Sequence, residues 1–297
     1  MTAAVLASGP PAKQRRRRGL RIAGLAGPAL LVILLLLAVP LVQMVDASFR
    51  RQDFGILLPG FTLDNYRQIL ASAQYAELFY KTGFAAALVT LLCALLGFPV
   101  ALMIASAPAR RKPILYFLVA APLLVNTVVR SYGWLLMLGN RGVINASLMS
   151  LGVIDEPLPL SGNTLGMVIG ATQVFLPFMI LSLAASLEGI DQRLLESAEI
   201  LGAGRARAFR DITLPLAMPG LIAGSVLVFS LMLGAIVTPL MLGGTAIRFL
   251  SVAIYTDALV LFDLPRATAL SVVLLVVVIA IYALQRRFVR SYKDDAR

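Results

Sequence analysis

Polar and apolar positions fall into long blocks rather than short alternations. Six runs of about 20 residues are almost wholly apolar, the length a helix needs to cross about 30 Å of hydrocarbon. They cover 26–45, 82–104, 115–138, 164–187, 216–241 and 267–284. A seventh apolar stretch, 246–262, holds Arg248 and Asp257 and is too short to join them; it reads as a short helix near the outer surface or partly re-entrant. The expected fold is therefore an all-α integral membrane protein of six transmembrane helices.

The stretches between the runs set the orientation. Lys13, Arg15, Arg16, Arg17, Arg18 and Arg21 precede the first run, and Arg110, Arg111 and Lys112 follow the second. Arg193, Arg205, Arg207 and Arg210 lie between the fourth and fifth, and Arg286, Arg287, Arg290, Lys293 and Arg297 follow the sixth. Basic residues accumulate on the cytoplasmic side, so both termini are expected there. The domain reading is a basic, disordered cytoplasmic tail over 1–22, one membrane domain over 23–285 and a second basic tail over 286–297. An arginine run before an apolar run also suits a signal peptide, but this run is longer than an h-region, and an uncleaved anchor is the better reading. In the outer loop over 46–81, Phe61, Leu63, Tyr66 and Ile69 have the spacing of one helical stripe.

Composition agrees. Hydrophobic types make up 59% of the 297 residues and charged types 14%, with a mean hydropathy of +0.88. About a quarter charged is usual for soluble domains. The net charge of +11 belongs with lipid headgroups rather than nucleic acid, since it flanks the apolar runs. The chain has no histidine and one cysteine, so zinc, haem, His-Cys and Ser-His-Asp chemistries are unavailable within it. No metal site is expected. Cys93, inside an apolar run, reads as a packing residue.

The most informative segment is the loop over 188–215. Asp191 suits a helix N-cap, Leu194, Ala198 and Leu201 share one helical face, and Gly202 and Gly204 can end that helix in a left-handed turn. Pro215 stands where the fifth run begins and a missing N–H is tolerated. Within it, Glu196-Ser197-Ala198 is followed by three residues, Gly202, nine residues, then Ile212-Thr213-Leu214-Pro215. This resembles the cytoplasmic EAA motif of type I ATP-binding-cassette importer permeases, with Ser197 in place of an alanine.

The resemblance implies that this loop is a coupling helix docking on a separate ATPase. Glu196 would meet the ATPase, Gly202 would allow the bend, and Ile212, Leu214 and Pro215 would fix the join to the fifth span. It implies partners as well: two ATP-binding subunits that bind the ATP and magnesium, a second, related permease, and a periplasmic or extracellular substrate-binding protein. The location implied is the bacterial inner membrane. No Gly-x-x-x-x-Gly-Lys-Ser/Thr loop is present, so the chain itself is expected to bind no cofactor and to be no enzyme.

A narrower resemblance, to the spermidine/putrescine branch, rests on Val129-Arg130-Ser131-Tyr132-Gly133-Trp134, on 138–145, on Phe61-Thr-Leu-Asp-Asn-Tyr66 and on 234–244. Leu264-Pro265-Arg266-Ala267 departs from that branch's Trp-Pro-Phe-Gly. The competing class is an ATP-independent secondary transporter or channel. It usually places acidic residues at mid-membrane, and these six runs hold none.

The candidate pathway residues each carry two readings. Arg130, the one basic residue inside a run, is a pore-lining cation or a snorkelling, helix-pairing one. Asn126, Thr127 and Gln173 line a polar route or join helices by hydrogen bonds. Tyr132 and Trp134 are interfacial anchors or contacts for a cation. Asp257 and Asp263 attract a cationic solute or a binding protein, or are solvated or paired with Arg248 and Arg266.

Overall fold

The computed structural model describes residues 12–53, 55–244 and 249–295. Residues 1–11 of the expected tail, Arg248 and Arg297 lie outside the described residues. In chain order the elements are α1 (Ala12–Ser48), a two-stranded antiparallel hairpin of β1 (Gln52–Asp53) and β2 (Ile56–Leu57), α2 (Asp64–Ala71), α3 (Ala73–Ala105), α4 (Lys112–Ala120) and a 3-10 turn at Ala121–Leu124. Next come α5 (Thr127–Leu138), α6 (Val143–Ser150), α7 (Thr164–Leu187), α8 (Gln192–Ile200) and α9 (Arg205–Ala208). A π-turn over Phe209–Thr213, α10 (Leu214–Leu233), α11 (Val237–Leu242), α12 (Leu250–Leu259) and α13 (Leu264–Asp295) complete the chain.

Among the described residues, five helices are long and apolar enough to cross a membrane, and a bent helix pair makes six if it is counted as one span. Around the first and last runs the helices overshoot the apolar stretch. α1 already starts at Ala12, so 12–22 is helical where an irregular tail was expected; its Arg, Gln and Lys are good helix formers.

The third expected span, 115–138, is not one helix. Lys112–Leu124 and Thr127–Ser150 meet at 89°. Pro122 brings no N–H to the ladder, Val125 and Asn126 are extended, and the Asn126 carboxamide oxygen accepts from Val128 N–H at 2.8 Å, capping a new helix. The fifth expected span, 216–241, also ends early. α10 stops at Leu233 before Gly234, and Pro239 sits in the first turn of the separate α11 rather than inside a span.

The core is formed by α3, α7 and α10, which pack on one another. α7 is its axis: 67% of its apolar stretch is buried, against 6% for α1. Small residues let α7 and α10 approach closely. A Cβ at Gly220 would lie 2.8 Å from the Ser182 carbonyl oxygen, and one at Gly224 2.7 Å from Met179 Sδ. Ser182 Oγ donates to the Gly220 carbonyl at 2.9 Å. In lipid, where helices gain nothing by hiding apolar surface from water, such close contact and interhelical bonding hold the bundle together. Cys93 is fully buried against Thr172, donating to its carbonyl at 3.6 Å, as a packing residue.

The short helix in the seventh apolar stretch is α12, packed on α13 and α3. Its first N–H, from Leu250, donates to Thr82 Oγ1 at 2.9 Å. In the 46–81 loop, α2 buries Ile69 and half-buries Tyr66, but Phe61 and Leu63 are exposed. Phe61 instead stacks on Phe49 with ring centroids 4.8 Å apart. The hairpin reaches across the sequence: Gln52 Nε2 donates to the Phe262 carbonyl at 2.5 Å and Gln52 Oε1 accepts from Leu264 N–H at 3.2 Å. This clamps the turn in which Phe262 takes a left-handed φ of 54°.

Candidate functional site

The loop between α7 and α10 is a projecting knob. α8 is capped as its sequence predicts, Asp191 Oδ1 accepting from Arg193 N–H at 3.0 Å. It ends where Gly202, at φ +81°, turns the chain left-handed, and Ala203 N–H bonds back to the Ala198 carbonyl at 2.9 Å. Gly204 does something else: with an extended backbone it is the N-cap of α9. Pro215 is in the first turn of α10, where no N–H is missed.

The face expected to join Leu194, Ala198 and Leu201 is divided by the structure. Ala198 is buried and Leu195 half-buried, but Leu194 and Leu201 point outward, at 49% and 87% exposed. Ile200, also 87% exposed, joins them. Four-residue spacing alone did not reveal which side of so short a helix faces the bundle. The tip therefore carries an open apolar patch of Leu194, Ile200 and Leu201, with Glu196 and Ser197 exposed on the same helix. Ser197 Oγ bonds its own helix at Arg193 O, 2.7 Å away. Ile212, Leu214 and Pro215 are half-buried at the root.

Besides Ile190, which packs against the core, two specific contacts tie the knob to the bundle, and neither was anticipated. Phe209 meets Phe98 of α3 edge to face, centroids 5.5 Å apart at 80°. Lys112 Nζ, at the start of α4, lies 2.8 Å from Glu188 Oε1 at the end of α7. Unlike-charge residues at two span edges were the available signal for the second; an aromatic amid arginines was the signal for the first.

The broken third span gathers several candidate pathway residues. Arg130 Nη2 donates to Thr127 Oγ1 at 3.2 Å, while its Nε and Nη1 are buried without a hydrogen-bond partner among the described residues. Trp134 Nε1 donates to Gln173 Oε1 at 3.3 Å, so Trp134 is turned inward and only Tyr132, 54% exposed, remains in an anchor-like position. Asn126 is exposed and spends its carboxamide oxygen on the α5 cap. A residue from the same resemblance, Asn145, is wholly buried. It donates to the Gly139 and Leu158 carbonyls at 3.1 and 2.9 Å and accepts from Leu158 N–H at 2.9 Å.

Asp257 and Asp263 lie at the other end of the bundle. Asp257 is 8% exposed and lines a cleft of about 510 Å³ with Tyr75, Leu78, Leu240 and Thr256. Asp263 pairs with Arg266 at 3.0 Å, as its simpler reading had it. Tyr75 opens α3 and the Lys112–Glu188 pair stands beyond its far end, with some 30 residues of helix between them, so about 45 Å separates cleft from knob. In the loop at the cleft's end, the Asp64 carboxyl is held below its usual range by the Thr62 hydroxyl and by Arg51. No group of three or more His, Cys, Asp or Glu able to hold a metal occurs among the described residues.

Known proteins share this arrangement. The spermidine/putrescine transport system permease protein PotB of Escherichia coli (strain K12) is 34% identical over 246 residues, covering 82% of this chain and 89% of its own. PotB of Haemophilus influenzae is 32% identical over 82% of this chain and 86% of its own. A putative 2-aminoethylphosphonate transport system permease protein, PhnU, of Salmonella typhimurium is 26% identical over 86% of this chain and 88% of its own. In fold, the chain superposes on a bacterial alginate ABC transporter in complex with an alginate-bound periplasmic protein. The TM-score is 0.75 at 19% identity, over 94% of this chain and 97% of that one. Residues 96–294 match the model of binding-protein-dependent transport system inner membrane components, and with that match the chain belongs to this family of multi-pass inner-membrane permeases.

Proposed function

We propose that this chain is one permease of an ATP-driven importer, coupled through the 188–215 loop to ATP-binding subunits that supply the hydrolysis. The observation that carries this is the knob itself. It presents Leu194, Ile200 and Leu201 as an unpartnered apolar tip beside exposed Glu196, at the end of the bundle expected to face the cytoplasm. Three large apolar side chains left exposed on one short projecting segment beside charge support a protein contact there.

Glu196, Ser197 and Ala198 form the docking helix in this reading, Gly202 its bend, and Ile212, Leu214 and Pro215 the rigid root. Two ATP-binding subunits, which bind ATP and magnesium, and a second permease complete the pore. A substrate-binding protein delivers solute to the opposite end. Both termini lie in the cytoplasm. Asn126, Arg130, Tyr132, Trp134 and Gln173 border the path, and Asp257 and Asp263 its outer mouth.

Polyamines are the proposed solute class. The support is the identity of 32–34% to spermidine/putrescine permeases over most of both chains. Gentle detergent extraction with mass spectrometry of stoichiometric partners tests the assembly. A co-purifying ATPase and second permease are expected, and a homo-oligomer transporting without ATP overturns the proposal. Glu196→Arg should abolish both ATPase docking and transport; a secondary carrier would keep its transport.

A further inference from the structure

Lys112 and Glu188 each stand at the unfavourable end of a helix. Glu188 is the C-cap of α7, where the partial charge of the last carbonyls disfavours an anion. Lys112 is the first residue of α4, where the free N–H groups disfavour a cation. What compensates both is their pairing, Nζ to Oε1 at 2.8 Å, with each side chain about 30% exposed. Tyr116, one turn further along α4, lies beside the same carboxylate. The pair forms a wall of a small pocket that Leu195 of α8 and Thr213 of the π-turn also line. It therefore sits where the knob, α7 and α4 meet.

The segment on the other side of the pair is built to tilt. α4 and the 3-10 turn after it bury no residue fully, whereas α7 buries fourteen. At Val125 and Asn126 the backbone is extended, and the direction changes by 89° into α5, which carries Arg130 and Trp134. Leu115, Tyr116 and Val119 of α4 pack against the core but stay half-exposed, and a rod so held, with an ion pair at its start and a break at its end, can swing with less loss of packing than α7.

We propose that Lys112 and Glu188 are positioning residues for coupling: their ion pair passes movement of the 188–215 loop to α4, which swings about residues 121–126 and shifts α5. This rests on the coupling reading of the loop given above. It assigns the driven element to the broken third span, and it gives the ion pair a part that the loop motif does not contain.

The test uses the assembled transporter in lipid vesicles, with solute uptake and ATP hydrolysis measured together. Lys112→Glu and Glu188→Lys should each lower uptake per ATP by about 2- to 30-fold, the range of mutations along a coupling route. The ATPase should still co-purify. The double swap Lys112→Glu/Glu188→Lys should restore most of the ratio, which a merely structural loss would not do. Should a reversal prevent assembly, Lys112→Gln and Glu188→Gln are read by the same ratio. Single variants with an unchanged uptake per ATP, or a double swap no better than the singles, overturn the inference. If the unaltered protein transports without ATP, the importer reading itself fails and the inference goes with it. ATP-driven uptake in the unaltered protein with an indifferent Lys112→Glu sinks the inference alone.

Discussion

The indole N–H of Trp134 donates to the Gln173 side-chain oxygen at 3.3 Å, across the contact between α5 and α7. Each of these residues satisfies a polar group that the other would otherwise strand in an apolar interior. Trp134 is the only tryptophan in the chain, so its emission reports this contact directly. Gln173→Leu should shift the emission to shorter wavelength, and Trp134→Phe should lower stability by about 1–3 kcal/mol through the stranded carboxamide. An unchanged spectrum in the leucine variant would contradict the bond.

Asn145 ties the turn after α5 to the chain before α7 with three hydrogen bonds and no solvent exposure. Asn145→Ala leaves two carbonyls and one N–H without that partner. At about 0.5–1.5 kcal/mol net for each hydrogen bond the loss should be about 1.5–4.5 kcal/mol. Limited proteolysis over 151–163 checks it: the variant should be cut there faster than the unaltered protein.

Phe209 is the knob's edge-to-face contact with α3 through Phe98. Such a pair contributes about 0.5–1.5 kcal/mol beyond its buried area. Phe209→Ala should leave the ATPase bound but lower uptake per ATP hydrolysed, and Phe209→Leu should recover part of it. Equal ratios in all three proteins would show that this ring carries no coupling.

Asp64 has a carboxyl held below the ordinary value of 3.8 by Thr62 and Arg51. A depressed folded value means the contribution is complete above the unfolded value and is lost as pH falls through the folded one. Thermal midpoints of the unaltered protein and Asp64→Asn should therefore differ most at pH 7 and draw together progressively as pH falls below about 4. A difference that persists in acid would rule out the carboxylate as its source.

Much of this architecture was legible in the chain because apolar run length is a strong signal in a membrane protein. The knob was legible for a second reason: Asp191, Gly202 and Pro215 are local devices, each acting within a few residues of itself. The third span was read as interrupted at Pro122, but the extended backbone at Val125 and Asn126, the cap Asn126 supplies and the 89° change of direction were not foreseen. Lys112 and Glu188 are 76 positions apart and meet through tertiary packing alone. The candidate pathway residues were singled out mainly as polar exceptions in apolar runs, but polarity cannot say which of them face one another. Trp134 and Gln173 do, and Asn126 instead serves its own helix.

The π-turn at Phe209–Thr213 sets the phase between two helices. Its wider winding takes up one residue more than an α-turn would, and one residue corresponds to a rotation of about 100° about the axis. The azimuth of the α8–α9 tip relative to the α10 face that packs on α7 is thus fixed by residue count within this one turn. Removing one residue from Phe209–Asp211 would turn Leu201 and Arg205 toward a different quadrant and cut the spacing between Gly202 and Ile212 from nine residues to eight. Transplanting the knob onto another membrane helix would require carrying Phe209 to Thr213 along as part of it.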